Sequence, residues 1–187
     1  VVIDGNNVKE YPFSQLRKKV GMVPQQAVLF KGTIRDNMKW GKEDASEEEI
    51  QRALSIAQAS GFVKSKPEGL NTMVSQGGAN LSGGQRQRLT IARALVGDPE
   101  ILIMDDSASA LDFATDAALR HAIHEQTKGM TVFIVSQRAT SIKQADKILV
   151  LDDGELAGVG THKELMESCE VYREICLSQL SEQEVNR

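Results

Sequence analysis

Residues 81–105 of the chain read LSGGQRQRLTIARALVGDPEILIMD. The segment begins with a turn, Leu81-Ser82-Gly83-Gly84-Gln85, and continues as an apolar stripe at helical spacing. It ends with an apolar run, Ile101–Met104, followed by the acidic residue Asp105. A short apolar run after a helix is typical of a buried strand in a parallel sheet. The segment therefore predicts a turn, a helix and a buried strand that ends at a carboxylate.

The flanking sequence predicts the same alternation of strands and helices. Upstream, we expect a strand at Gly21–Val23 that Pro24 stops. Downstream, a helix from about Phe113 to Gln126 precedes a second buried strand at Thr131–Val135. Uniformly apolar strands separated by helices indicate a parallel sheet covered on both faces. The predicted fold class is therefore α/β.

Residues 31–80 depart from this alternation, and we predict no convincing strand among them. Ser46 and Glu49 form a capping box at the start of a helix, and Gly61 is expected to close that helix. The apolar positions in this helix are Ile50, Ala53, Leu54 and Ala57. We therefore expect residues 31–96, including the turn at Leu81–Gln85, to form a helical subdomain. Residues 1–30 and 97–187 are expected to supply the α/β core.

The composition excludes several classes of function. The formal net charge is -4 and the pI is about 5.5, so no basic surface is expected that would neutralise the phosphates of a nucleic acid. The longest apolar runs fall far short of the roughly 20 residues of a transmembrane helix, and we expect no secretory signal. Cys169 and Cys176 lack metal-ligand or CxxC spacing, and we predict that they are reduced cytosolic thiols.

The turn at Leu81–Gln85 has chemistry that suits an anion. Its backbone N–H groups would point outward at the positive end of a helix dipole. Gly83 and Gly84 would allow close approach of a phosphate, and Ser82 can both cap the helix and donate to a phosphate oxygen. Taken alone, the turn is equally well explained as a loop before a helix. The strand Ile101–Asp105, which starts sixteen residues after Gln85, favours the functional interpretation.

On these motifs the chain resembles the ATP-binding domain of ABC transporters, of the exporter type. Leu81–Gln85 resembles the signature motif of that family, and Ile101–Asp105 resembles its Walker B strand. Ser109-Ala110-Leu111-Asp112 matches the D-loop, and Gln25 matches the Q-loop glutamine. The resemblance covers nearly the whole chain. It implies an ABC-type P-loop NTPase fold with a mainly parallel sheet and an inserted helical subdomain.

The resemblance also implies roles for individual residues. Asp105 would hold Mg²⁺ through water, because Mg²⁺ keeps most of its hydration and takes only one or two carboxylates. The alternative is a strand-ending aspartate that caps the next turn. Gln25 would offer a neutral oxygen to Mg²⁺ or to the attacking water. In the family the signature motif contacts the γ-phosphate of ATP that the opposite subunit holds. The remaining nucleotide-binding candidates are Ser82, Gly83, Gly84, Gln85 and Asp112.

The chain departs from the family pattern first in its phosphate-binding loop. No G-x-x-x-x-G-K-[ST] motif occurs in the sequence. The chain also opens on Val1-Val2-Ile3, which is strand-like and has no initiator methionine. These features favour truncation over natural loss, so the N-terminal strands and the loop are expected to be missing. The chain alone is then expected to be inactive.

The other two departures replace the candidate catalytic residues. Asp106 stands where the family has the glutamate that positions the attacking water, and a misplacement of about 1 Å costs on the order of 100-fold in rate. Gln137 stands where the family has its switch histidine, and glutamine has no titratable proton. His121, His124 and His162 lie on predicted helices and do not replace it. Either change alone is compatible with drift, whereas together they resemble the degenerate-site subunit of a heterodimeric exporter.

These features predict the ATP-driven motor domain of an ABC exporter at the cytoplasmic face of the cell membrane. ATP and Mg²⁺ would be its substrate and cofactor, and a second ABC ATPase domain and a transmembrane domain would be its partners. Val28–Asn37 resembles the segment that receives coupling helices in exporters, although Gln76 and Gly77 depart from the exporter loop before the signature. Two alternatives stay open. One is a non-hydrolysing regulatory half, and the other is a soluble ABC ATPase that acts in translation or DNA repair.

Overall fold

The computed structural model describes residues 1–107 and 109–179. The strands are β1 (Val2–Ile3), β2 (Asn6–Asn7), β3 (Val20–Val23), β4 (Gly32–Thr33), β5 (Met73–Val74), β6 (Ile101–Asp105), β7 (Thr131–Val135), β8 (Ile148–Asp152) and β9 (Glu155–Gly160). The α-helices are α1 (Phe13–Lys19), α2 (Ile34–Lys39), α3 (Glu47–Ile56), α4 (Ser60–Lys64), α5 (Gly83–Leu95), α6 (Phe113–Gln126), α7 (Ala139–Ile142), α8 (His162–Ser168) and α9 (Glu170–Gln179). Two units make up the chain, Val1–Val135 and Ser136–Arg187.

A parallel sheet with the strand order β3-β6-β7 organises the first unit. Residues in register share a face, so Gly21 and Leu102 point to the same side. Helix α5 packs on that side. A Cβ atom on Gly21 would lie 2.7 Å from the carbonyl oxygen of Ala94, so the glycine permits the close approach of helix and strand. The predicted α/β fold with a parallel sheet is confirmed.

The prediction that both faces of this sheet are covered is wrong for the described residues. Met22, Phe133 and Val135 are each more than half exposed. They lie on the face opposite to α5, because their register places them out of phase with Gly21. The burial of β7 alternates between exposed and intermediate residues, so β7 is not a buried strand. An apolar run predicts a strand but does not distinguish one covered face from two.

Residues 31–96 differ from the prediction in two respects, the end of one helix and the presence of two short strands. The Ser46–Glu49 capping box is confirmed, but α3 ends at Ile56, and Gly61 lies inside α4. Gln58 makes the turn between the helices with a φ of 56°. The second correction concerns strands, because Gly32–Thr33 pairs antiparallel with Met73–Val74. Two-residue strands show no periodicity that a sequence pattern could reveal. The division of the chain at residues 31 and 96 stays a prediction.

The second unit is built on a hairpin and its covering helices. Strands β8 and β9 pair antiparallel around Asp153 and Gly154, which both have positive φ angles, as two-residue hairpin turns require. A capping box of Thr161 and Glu164 starts α8. The core of this unit consists of Ala139, Ile148, Val150, Leu165, Cys169, Tyr172 and Cys176. Both cysteines are buried free thiols.

None of the helices among the described residues combines the length and the apolar character that crossing a bilayer requires.

Candidate nucleotide-binding site

The turn before α5 is held by a reciprocal pair of hydrogen bonds. The backbone N–H of Gln85 donates to Ser82 Oγ at 3.2 Å, and the backbone N–H of Ser82 donates to Gln85 Oε1 at 3.1 Å. The predicted capping role of Ser82 is therefore confirmed. Because Ser82 Oγ accepts in this pair, its hydroxyl hydrogen remains available for an external acceptor. The side chain of Gln85 is instead used within the turn.

The two glycines of this turn face different surroundings. A Cβ atom on Gly83 would meet nothing closer than Arg86 Nη2 at 4.0 Å, so the space above Gly83 is open. A Cβ atom on Gly84 would lie 3.3 Å from the carbonyl oxygen of Ala110. Gly84 therefore lets the start of α5 pack closely on the segment that leads to Asp112. One side of the turn is open to a ligand, and the other side rests on the chain.

Two arginines of α5 support the turn, and neither was predicted. Arg86 Nη1 donates to the carbonyl oxygen of Leu81 at 2.8 Å. Arg88 Nη1 donates to the carbonyl oxygen of Gln58 at 2.7 Å, and its Nε donates to that of Gly84 at 3.3 Å. The charge of Asp112 is close enough to act on the Arg88 guanidinium, although burial has the larger effect and lowers the pKa of Arg88. The Arg-x-Arg pattern directly after the turn was the sequence feature that could have indicated these supporting contacts.

Asp112 acts as the N-cap of α6. Its carboxylate accepts from Thr115 N at 2.9 Å and from Thr115 Oγ1 at 2.8 Å. These bonds lower the pKa of Asp112 and stabilise its charged form. The sequence predicted a nucleotide-binding role for Asp112 and missed the cap. A serine, threonine, asparagine or aspartate directly before a helix is the signal for such a cap.

The second group of candidates lies where β6 ends. Asp105 is the last residue of β6, is half-buried and pairs in register with Val135. Asp106 follows with a φ of 40°, and its backbone N–H donates to the carbonyl oxygen of Val135 at 2.9 Å. Gln25 Nε2 donates to Asp106 Oδ2 at 3.4 Å. The structure therefore brings the predicted Q-loop residue and the predicted catalytic position together.

The residues at the end of β6 have a donor set that fits Mg²⁺. Carboxylate and amide oxygens are hard ligands, and Mg²⁺ in phosphate-transfer sites takes one or two carboxylates while phosphate oxygens and water complete its shell. Among the described residues no group of three or more histidine, cysteine, aspartate or glutamate side chains is arranged to hold a metal. Asp105 and Gln25 stay predicted ligands of an ion that arrives with a nucleotide.

Gln137 lies in the second unit, and its backbone is tied to α9. Its carbonyl oxygen accepts from Gln179 Nε2 at 2.8 Å, and the backbone N–H of Ala139 donates to Gln179 Oε1 at 2.9 Å. The sequence did not predict a role for Gln179. The spacing of Tyr172, Cys176 and Gln179 was the sequence feature that could have indicated it, because this spacing places the glutamine on the same side of the helix as two apolar positions. His121 and His124 lie in α6 and His162 lies in α8, as predicted.

The chain is similar in sequence to known proteins over most of its length. A family model described as "ABC transporter" matches residues 1–109. The chain is 46% identical over 179 residues to the uncharacterized ABC transporter ATP-binding protein YfiB of Bacillus subtilis, covering 96% of this chain and 31% of the relative. It is 42% identical over 176 residues to an ATP-dependent lipid A-core flippase of Photobacterium profundum, covering 94% of this chain and 30% of the flippase.

The similarity extends to a solved structure. The structure of a bacterial Atm1-family ABC exporter with ATP bound matches with a TM-score of 0.91 and 36% sequence identity. The match covers 97% of this chain and 32% of that chain. The chain thus spans about a third of the length of the relatives it matches.

Proposed function

The chain belongs to the ABC transporter family, and on that basis we propose that it forms part of the ATP-binding motor of a membrane exporter. The exporter-type relatives and the ATP-bound exporter structure support this reading. ATP would be held between two such domains at the cytoplasmic face of the membrane. A transmembrane domain would respond to the closure of the pair. Selectivity for the transported molecule would reside in that domain.

The observation that carries the proposal is the open, capped N-terminus of α5. The Ser82–Gln85 bonds hold the turn, and Gly83 leaves space for an anion above the positive end of the helix dipole. We propose that Ser82, Gly83 and Gly84 contact the γ-phosphate of ATP on the partner domain. The second ABC ATPase domain would then depend on this chain for its own turnover.

We further propose that this chain's own half-site is degenerate. Asp106 is one methylene shorter than glutamate, so its carboxylate lies further from a water that it should position. Gln137 supplies a hydrogen bond without a titratable proton. Asp105 and Gln25 would hold Mg²⁺, which neutralises phosphate charge when it is bound. Binding would thus be retained here while hydrolysis is slowed.

A second candidate function is a nucleotide clamp that does not hydrolyse ATP at all. The contact between Gln25 and Asp106 favours it, since the shortened carboxylate is directed to a neighbouring amide. A soluble ABC ATPase is the weaker alternative, because the curated relatives named above are transporter proteins.

Restoring the two family residues tests the proposal. The full-length protein with its partner would carry Asp106→Glu and Gln137→His together, and ATP turnover would be measured against the wild type. We expect turnover to rise, by up to about 100-fold if reach alone limits the rate. Unchanged turnover would contradict the degenerate site. Ser82→Ala in the wild-type background should lower turnover at the partner's site, which tests the signature independently.

A further inference from the structure

The side chain of Gln179 bridges two backbone groups that lie 40 and 42 residues away in sequence. Its Oε1 accepts from the N–H of Ala139 at 2.9 Å, and its Nε2 donates to the carbonyl oxygen of Gln137 at 2.8 Å. One amide group thus holds the residues on both sides of Arg138. The Arg138 N–H donates to Ser136 Oγ at 3.0 Å, so successive backbone groups of this short segment are fixed.

Gln179 also supplies a cap that the segment itself lacks. Arg138 is the N-cap residue of α7, but its side chain makes no capping hydrogen bond. Ala139 is almost fully buried, and its N–H is one of the donors without an intrahelical partner at a helix start. A buried donor without an acceptor is destabilising. Gln179 therefore caps α7 from a different helix.

Helix α9 presents Gln179 from a fixed position. Tyr172, Cys176 and Gln179 follow the i, i+4, i+7 spacing of one helix face. Tyr172 and Cys176 are fully buried in the core of the second unit. The hydroxyl of Tyr172 lies 2.9 Å from Nδ1 of His162, which ties α9 to α8. The amide at the end of this face thus starts from an anchored helix.

We propose that Gln179 is a positioning residue that sets the direction of the Gln137 side chain toward the γ-phosphate. The inference rests on the proposed function, which assigns Gln137 that contact. Fixing the carbonyl of Gln137 and the amide of Ala139 fixes the backbone from which the Gln137 side chain projects. Through this contact, helix α9 influences how well this chain's half-site distinguishes ATP from ADP.

The experiment measures AMP-PNP and ADP binding, each with Mg²⁺, in the full-length protein with its partner. Gln179→Ala should weaken AMP-PNP binding at this chain's half-site about three- to tenfold, the effect of one lost hydrogen bond, and leave ADP binding unchanged. Gln179→Glu keeps the acceptor for Ala139 N but loses the donor to Gln137. It should preserve the fold and show the same selective loss. Glu174→Ala, at an exposed position of α9, is the matched control and should change neither affinity.

A double variant identifies the route of the effect. Gln137→Ala with Gln179→Ala should bind AMP-PNP no more weakly than Gln137→Ala alone, because both changes remove one contact. Additive losses, or equal losses for AMP-PNP and ADP, would show a structural role only and overturn the proposal. If Gln137→Ala weakens AMP-PNP binding more than ADP binding and Gln179→Glu does not, only the positioning role of Gln179 is contradicted. If Gln137→Ala has no effect, the proposed contact of Gln137 fails and the positioning role fails with it.

Discussion

Gln25 Nε2 lies 3.4 Å from Asp106 Oδ2, although the two residues are 81 positions apart. The parallel pairing of β3 with β6 accounts for this contact, because Val23 lies in register with Met104. Both strands therefore end at the same edge of the sheet, where α/β folds bind their ligands. Asp106 also adopts a φ of 40°, which is uncommon for a residue with a side chain. Such conformations cluster at functional sites.

The contact between Gln25 and Asp106 predicts a Mg²⁺-dependent effect. Gln25→Leu removes both the donor to Asp106 and the proposed oxygen ligand. We expect it to weaken Mg²⁺-ATP binding at this half-site about three- to tenfold in the full-length protein and to leave metal-free ATP binding unchanged. Gln26→Leu is the matched control, since Gln26 is the neighbouring exposed amide. An equal effect of both variants would contradict the specific role of Gln25.

The two signature glycines are expected to respond differently to alanine. Gly83→Ala adds a methyl group to open space. Alanine also favours a helix by up to about 1 kcal/mol over glycine, so the domain should unfold at the same temperature or at a higher one. ATP turnover at the partner's site should nevertheless fall at least tenfold, because the methyl group blocks the phosphate. Gly84→Ala should lower both stability and turnover, because its methyl group presses on the Ala110 carbonyl. Normal turnover with Gly83→Ala would refute the proposed phosphate contact.

The turn after α3 offers a test of backbone strain. Gln58 has a φ of 56°, and the left-handed conformation costs residues other than glycine roughly 1–2 kcal/mol. Gln58→Gly should therefore raise the free energy of unfolding by about 0.5–1 kcal/mol in urea denaturation. Gln51→Gly is the control, because the same change inside α3 should lower the free energy of unfolding by about 1 kcal/mol. Destabilisation by both variants would show that the Gln58 side chain outweighs its backbone strain.

The cap of α8 predicts a pH dependence of stability. Hydrogen bonds from Thr161 N and Oγ1 lower the pKa of Glu164 from its usual value. A lowered pKa stabilises the fold above the unfolded-state value, and the contribution is lost as the pH falls through the folded-state value. Glu164→Gln keeps a capping side chain that does not titrate. The stability advantage of the wild type over this variant should therefore be present at pH 6 and decline progressively as the pH falls below the usual pKa of a glutamate.

The measurement is the difference in urea midpoint between the two proteins at several pH values. A difference that does not change with pH would show that the charge of Glu164 contributes nothing. Thr161→Ala, which removes the hydroxyl donor, should reduce the pH dependence because part of the cause of the lowered pKa is lost.

Local patterns in the sequence were enough to predict much of the chain. The capping pair Ser46–Glu49 was predicted because an N-cap motif depends only on residues three apart. The bounds of α6 and the parallel strands followed from periodicity and from apolar runs. The predicted end of α3 was wrong. A helix end was assigned to Gly61 because glycine favours the left-handed conformation, but in the structure Gln58 adopts that conformation instead.

The sequence by itself determined the family and the strand-helix order, and it carried the prediction that Asp106 and Gln137 depart from the family pattern. These features depend on residue type and on spacing along the chain. Only the tertiary structure decided which groups meet. The contact of Gln25 with Asp106 and the bridge from Gln179 to residues 137 and 139 join positions 40 or more residues apart. No local propensity encodes such contacts, because strand register and helix packing bring those groups together.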